Sequence, residues 1–185
     1  MQAEKRISTS IKHKSKYKIQ IKVNPRIEKL KEKKLIGYKL KMSLTNNKTG
    51  QLWGRFGPKI KEVKNRVTED KISMQIYDSS YYQKFNPDNE FEKWATVEVE
   101  DFKNIPNGMK SFTLKEGVYA VFDYKGSSSD NSIFQYIFWK WLPNSSYQID
   151  DRPHFEVLGE NYKNNDQNSE EEIWIPIMEK NKAST

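Results

Sequence analysis

A single carboxylate in an apolar stretch is the residue of this sequence best suited to chemistry. Glu156 lies between Phe155 and Val157, and strand alternation would give it the same face as His154 and Leu158. A carboxylate in such surroundings is desolvated, which raises its pKa, so it either holds a proton or meets a cation. Aromatic faces nearby would stabilise a delocalised cation by roughly 0.5–2 kcal/mol each. Glu156 is therefore interpreted as the anchor for a lipophilic cation; the alternatives are exposure at a strand edge or pairing with one lysine.

Two tryptophans that alternate against apolar residues are the next candidates. Trp94 is out of phase with the apolar residues of 95–99, and Trp174 is out of phase with the isoleucines of 173–177. If those apolar residues pack under helices, both tryptophans face the other side of the sheet. Glu98 would share that side with Trp94 and is a possible second carboxylate.

Cysteine and histidine usage excludes several kinds of site. The chain has no Cys, which excludes disulfides, thiolate metal sites and a Cys nucleophile. Its two histidines, His13 and His154, are too few for a His-based metal cage, and His154 is interpreted as a structural residue. We therefore expect no metal, no cofactor and no catalytic residue. The enzyme alternative would use Glu156 as a general base or electrostatic stabiliser in a hydrolysis.

Positive charge is concentrated near the start of the sequence. Residues 1–41 hold 14 Lys/Arg and 3 Asp/Glu, whereas the whole chain has a net charge of +7. A basic arm of this kind can bind the phosphates of a nucleic acid, or it can be a solvated tail. We interpret residues 1–24 as a solvated basic tail, because no zinc-finger, helix-turn-helix or RNP pattern accompanies them. A nucleic-acid or protein interaction module stays the alternative.

Apolar periodicity predicts the elements that must position these residues. Alternation predicts strands over 17–23, 36–44, 72–76, 95–99, 118–124, 155–158 and 173–178. Helical spacing predicts an amphipathic helix over 49–67, weakened at 54–58, and a second over 133–141 that stops at Pro143. The order strand–helix–strand–strand thus occurs twice. We predict an α+β fold of tandem duplicated β-α-β-β units with pseudo-two-fold symmetry, in which an antiparallel sheet carries two helices on one face and a ligand cleft on the other.

An ordered set of fragments in this sequence is similar to one known family. In chain order the fragments are QLWGRF at 51–56, GVYAVF at 117–122, YIFWKWLP at 136–143, DRP at 151–153, FEV at 155–157 and SEEEIWIPI at 169–177. Over residues 26–178 the chain resembles the GyrI-like, AraC-type effector-binding domain family. Members combine a tandem duplicated β-α-β-β fold with a ligand cleft between the two halves, which here would span about 25–102 and 108–180.

The resemblance also implies a function and a set of site residues. Many members bind hydrophobic small molecules, often cationic or aromatic, so we expect ligand binding for sensing or sequestration. Hydrolysis of reactive cyclopropane compounds and DNA gyrase inhibition, known among stand-alone relatives, are the alternatives. The family glutamate in a Pro-x-Phe-Glu stretch faces the pocket and corresponds to Glu156. Aromatic pocket residues correspond to the neighbourhoods of Tyr38, Trp53, Trp94, Tyr119 and Trp174.

Partners and location complete the expectations. The stretch before residue 26 is too short for a helix-turn-helix domain, so we expect no reading of nucleic acid by this chain alone. No apolar run approaches the ~20 residues that cross a bilayer, and no apolar segment follows the N-terminal charges as in a secretory signal. We expect a cytoplasmic bacterial protein, a monomer or weak dimer, whose partner is a small hydrophobic ligand and not a membrane.

Overall fold

The computed structural model of this chain describes residues 24–82 and 84–180. The predicted strand over 17–23 lies outside the described residues, as does the predicted tail apart from Asn24. The strands, in chain order, are β1 (Arg26–Leu30), β2 (Lys33–Met42), β3 (Lys71–Ile76), β4 (Phe91–Val99), β5 (Lys110–Leu114), β6 (Gly117–Lys125), β7 (Tyr147–Ile149), β8 (His154–Leu158) and β9 (Glu170–Glu179). The first helical segment comprises α1 (Thr49–Phe56) and a 3-10 turn (Gly57–Glu62). The second comprises α2 (Ser132–Tyr136), a π-helical turn (Ile137–Trp141) and α3 (Leu142–Asn144).

The strands form one antiparallel sheet in the order β1-β6-β9-β8-β3-β4-β2-β5, with β7 beside β9. At its centre β3 pairs with β8, which joins the strands of the first half of the chain to those of the second. The outer strands are exchanged, since β1 pairs with β6 and β5 pairs with β2. The prediction of an α+β fold with a large antiparallel sheet and two helices is confirmed.

The first helical segment is shorter than the predicted helix over 49–67. Leu52 and Phe56 of α1 are fully buried against the sheet. The α-helix gives way to a 3-10 turn at Gly57, where Pro58 occupies an early position and removes a backbone donor. After Glu62 the chain is extended, and Val67 is exposed rather than packed.

The second helical segment matches the predicted stripe over 133–141. The Asp130 carboxylate accepts a 2.8 Å hydrogen bond from the backbone N–H of Ser132, where α2 begins. Ile133 and Ile137 are fully buried, and the indole of Trp141 packs edge-on against Phe122 with 5.1 Å between ring centroids. The periodicity therefore identified the face of this segment that packs on the sheet.

The two faces of the sheet carry different cores. The apolar residues of 95–99 pack under the first helical segment and the isoleucines of 173–177 under the second, as the alternation predicted. The helix-free face carries a separate core in which Leu30 of β1 and Leu114 of β5 meet the central strands. Strands from both ends of the sheet contribute side chains to this core.

Three strands, β1, β5 and β7, were not predicted from the sequence. They have three to five residues each, and their apolar residues are too few to mark a strand by alternation alone. Across the part of the chain that is described, no helix is both long and apolar enough to cross a membrane.

Candidate functional site

Strand register brings a group of polar residues together at the central seam between β3 and β8. Glu156 lies opposite Ser73, and Gln75 lies opposite both His154 on β8 and Lys93 on β4. Paired residues of an antiparallel sheet project to the same face. These five residues therefore share the face that carries the two helical segments, and we refer to them as the polar floor.

The polar floor holds a buried ion pair. Glu156 accepts a 2.8 Å hydrogen bond on Oε1 from the Gln75 side-chain amide, and its Oε2 lies 3.4 Å from the Lys93 ammonium. The side chains of Lys93 and Glu156 are only 9% and 15% exposed. Because two charges out of water are costly unless they compensate each other, this pair requires both partners. Of the sequence-based alternatives for Glu156, pairing with one lysine is the one the structure shows.

A second carboxyl group lies beside the polar floor on β9. Register places Ile173 of β9 opposite Glu156. Glu171 lies two residues before Ile173 on β9 and projects to the same face, so it is a diagonal neighbour of Glu156. Burial is the main cause that raises the pKa of Glu171 to about 7, and the negative charge of Glu156 adds to it, whereas Lys93 opposes it. Near neutral pH the Lys93 ammonium and the carboxyl groups of Glu156 and Glu171 together thus carry a net charge between zero and minus one.

Aromatic rings from both halves of the chain cover the polar floor. Tyr82, from the connection between β3 and β4, stacks on His154 with 5.5 Å between centroids and lies 5.3 Å from Phe138 of the second helical segment. Phe138 also stacks on His154 at 6.0 Å, and Tyr77 meets the imidazole edge-on at 5.1 Å. Burial lowers the pKa of His154 to about 3, so the imidazole is neutral at physiological pH.

Little empty space remains between the polar floor and its aromatic cover. The cavity beside Glu156 has a volume of about 30 Å³, and its lining includes Tyr77, Phe134 and Phe138. That volume corresponds to about one water molecule. We refer to the space above the polar floor and between the two helical segments as the groove. The rings of Tyr82 and Phe138 fill the groove, so an aromatic ligand enters it only if some of these rings move aside.

The six predicted site residues do not form one group. Glu156 lies on the polar floor, whereas Trp94, Tyr119 and Trp174 project to the opposite face. Tyr119 and Trp174 meet edge-on there, 5.9 Å apart, and all three rings pack in the core of that face. The prediction that they share a cleft with Glu156 is wrong. Ser73 lies opposite both Ala95 and Glu156, which places Glu156 on the face of Ala95, and Trp94 projects to the other face.

The remaining candidates also lie away from Glu156. Tyr38 of β2 and Trp53 of α1 each contact the ring of Phe56 edge-on, in the core under the first helical segment. Glu98 forms an ion pair with Lys33 at 2.6 Å on the helix-free face. Throughout residues 24–82 and 84–180, no cluster of three or more His, Asp or Glu residues could hold a metal ion.

Sequence reasoning missed the lysine and the rings that complete the site. Lys93 is two residues before Ala95, so the alternation of β4 already assigned it to the face beneath the helices. Phe138 was recognised only as part of the helical stripe. No pattern in the sequence indicated that Tyr82 stacks over His154.

Comparison with known proteins agrees with this architecture. The family model described as Cass2, integron-associated effector binding protein, matches residues 26–177. The transcriptional regulator BrlR of Pseudomonas aeruginosa is 28% identical over 145 residues, which are 77% of this chain and 51% of BrlR. The chain thus spans about half the length of that curated relative.

Two solved structures have a similar fold. The structure of SAV2435 bound to tetraphenylphosphonium has a TM-score of 0.62 at 16% identity and covers 83% of this chain and 93% of that one. The integron cassette protein VCH_CASS2 of Vibrio cholerae has a TM-score of 0.59 at 13% identity and covers 84% and 96%. The resemblance to GyrI-like domains is confirmed, and since the family match extends from β1 into β9, the chain belongs to the Cass2 family of integron-associated effector-binding proteins, within the GyrI-like superfamily.

Proposed function

We propose that this chain binds a hydrophobic, aromatic small molecule between its two helical segments, for sensing or sequestration. The carrying observation is the buried Glu156 carboxylate beneath stacked aromatic rings at the seam between β3 and β8. A buried ion pair is often no better for stability than apolar residues of the same volume. The buried pair is therefore better explained by a role in function than by a gain in stability.

The aromatic cover supports a ligand that carries rings of its own. Tyr82, Phe138 and His154 contact one another at centroid separations of 5.3–6.0 Å. A flat ligand can replace these contacts ring for ring, at roughly 0.5–1.5 kcal/mol per aromatic pair beyond its burial. SAV2435, whose fold is similar, was solved with tetraphenylphosphonium, a compound that carries four phenyl groups on one charged centre.

The hydrogen bonds of Glu156 support a role as an anchor over a role as a general base. Each carboxylate oxygen already has a partner, the Gln75 amide on one side and the Lys93 ammonium on the other. A general base directs a lone pair at the water that it activates, and the Gln75 amide and the Lys93 ammonium compete with a water for the lone pairs of Glu156. A polar anchor needs only to exchange one of its partners for a group of the ligand.

Calorimetric titration with tetraphenylphosphonium tests this function. We expect saturable binding at one site per chain and an affinity reduced about tenfold, or about 1.4 kcal/mol, in Glu156→Gln. Glu98→Gln is the matched control, since it neutralises a strand carboxylate that is paired with Lys33 on the other face. Equal effects of the two substitutions would contradict the proposal, as would the absence of saturable binding of both tetraphenylphosphonium and its anionic counterpart tetraphenylborate.

A second pair of variants tests the location of the ligand. Tyr82→Ala removes a ring that the ligand must displace, so we expect tighter binding of tetraphenylphosphonium. Phe85→Ala changes an exposed ring of the same connection and should leave the affinity unchanged. If neither substitution alters the affinity, the ligand does not occupy the space that Tyr82 fills.

A further inference from the structure

Lys93 is a buried cation at the proposed ligand site. Lys93 projects from β4 onto the polar floor, where its cross-strand neighbours are Leu40 on β2 and Gln75 on β3. Its side chain is 9% exposed. The ammonium is thus held between strands and not displayed to solvent.

The ammonium of Lys93 is incompletely satisfied. Among the described residues its one hydrogen-bond partner is Glu156, at 3.4 Å. Charge-assisted contacts between nitrogen and oxygen are normally about 2.7–2.9 Å long, and an ammonium carries three donors. Among the described residues, at least two donors of this buried cation therefore have no partner, and the carboxylate that it contacts, Glu156, lines the cavity.

The positive charge of Lys93 nearly balances the negative charges around the polar floor. The ionisable groups that face it are Glu156 and His154 on β8, Glu171 on β9, and the tyrosines 77, 82 and 162. At neutral pH the imidazole and the phenols are uncharged. A permanent lipophilic cation must therefore approach a tethered ammonium or displace it from Glu156, whereas a ligand with an acceptor oxygen or a negative group gains the unused donors of Lys93.

We propose that Lys93 sets the charge preference of the groove, so that the protein favours aromatic ligands that bear an acceptor or anionic group over permanent lipophilic cations. This inference rests on the proposed function, because it concerns the ligand of the same site. It assigns Lys93 as a specificity-determining residue that acts through direct contact with the polar group of the ligand. The paired arrangement also accommodates a ligand that carries both charges, one for Lys93 and one for Glu156.

Tetraphenylphosphonium and tetraphenylborate provide a direct test, since they have nearly the same shape and opposite charge. Both would be titrated into the wild-type chain and Lys93→Met. We expect Lys93→Met to bind the phosphonium at least about tenfold more tightly and the borate at least about tenfold more weakly, because it removes the positive charge. Glu156→Gln should change the ratio of the two affinities in the opposite direction.

The double variant Lys93→Met with Glu156→Gln keeps the test decisive if Lys93→Met alone fails to fold. It removes both members of the ion pair, so neither Lys93 nor Glu156 is left without its partner. Comparison of this double variant with Glu156→Gln then measures the effect of the lysine in the absence of the Glu156 charge. Relative to Glu156→Gln, the double variant should again favour tetraphenylphosphonium over tetraphenylborate. If the wild type binds but removal of Lys93 leaves the ratio unchanged, the inference is overturned while the proposed function stands. If neither probe binds any folded variant, both are overturned.

Discussion

His154 makes the stability of this protein depend on pH in a calculable way. Burial under Tyr82 and Phe138 lowers the pKa of the imidazole from 6.5 to about 3. Below pH 6.5 the unfolded chain takes up a proton at this position, whereas the folded protein stays neutral until about pH 3. The stability associated with a neutral His154 is therefore complete above pH 6.5 and is lost as the pH falls toward 3.

The size of the loss follows from the ordinary pKa of histidine. At pH 5, about 1.5 pH units below that value, the loss is about 2 kcal/mol, since each unit corresponds to about 1.36 kcal/mol. The folded pKa lies so far below pH 5 that its precise value hardly alters the result. His154→Phe keeps a ring in the stack and has no proton to bind, so this loss disappears.

Urea unfolding at pH 8 and pH 5 measures the effect. Between these values the wild type should lose about 2 kcal/mol more than His154→Phe. Groups that titrate equally in both proteins, such as Glu171, cancel in this comparison. Tyr82→Phe removes the hydroxyl 3.4 Å from Nδ1 and keeps the ring, so its pH dependence should follow the wild type if burial is the cause. Parallel profiles for the wild type and His154→Phe would refute the reasoning.

Three further perturbations test the packing and the charge of the fold by urea unfolding. A Cβ at Gly37 would lie 1.9 Å from a carbonyl oxygen of β4, so Gly37→Ala should lower the free energy of unfolding by about 3 kcal/mol. A Cβ at Gly54 in α1 meets open space, so Gly54→Ala should raise the free energy of unfolding by roughly 0.5–1 kcal/mol. Equal losses of stability in the two variants would contradict the close approach of β2 and β4. Trp141→Ala should cost about 3 kcal/mol, and Trp139→Ala, at a side chain 74% exposed, no more than about 0.5 kcal/mol; the reverse order would show that the helix face is misassigned. Burial raises the pKa of Glu171 from 4.5 to about 7, so the wild type should lose stability as the pH rises through this window, and Glu171→Gln should not; equal slopes between pH 5 and pH 8 would exclude a buried carboxyl there.

Local patterns were sufficient for the faces of the long strands. The alternation over 95–99 and 173–177 identified the residues that lie under the helices, because period-two burial is a local property of a strand. Alternation does not tell which strands lie at the sheet edges. The exchange of β1 and β5 between the halves, which fills the helix-free face, is set by long-range pairing and so escaped prediction.

The same limit explains the mistaken grouping of site residues. Alternation shows that Trp94 and Ala95 project to opposite faces of the sheet, and that Glu156 and Phe155 do so as well. It does not show which face of one strand corresponds to which face of another. Only the register, with Ser73 opposite both Ala95 and Glu156, shows that Glu156 shares the helix-bearing face and that Trp94 does not. The family resemblance selected Glu156, whose carboxylate is buried and paired with Lys93 in the structure. Lys93 has no counterpart in the fragments on which the resemblance is based.

The position of the polar floor connects ligand binding to the contact between the two halves. Lys93 comes from the first half and Glu156 from the second, and their ion pair spans the pairing of β3 with β8. The cover has the same composition, since Tyr82 belongs to the first half and Phe138 to the second. Under the proposed function, a ligand that takes the place of Tyr82 and engages either charge exchanges contacts between the halves for contacts with itself. Effector binding at this site therefore changes the interactions that hold the two halves together, which is what a sensing domain requires if occupancy is to alter its conformation.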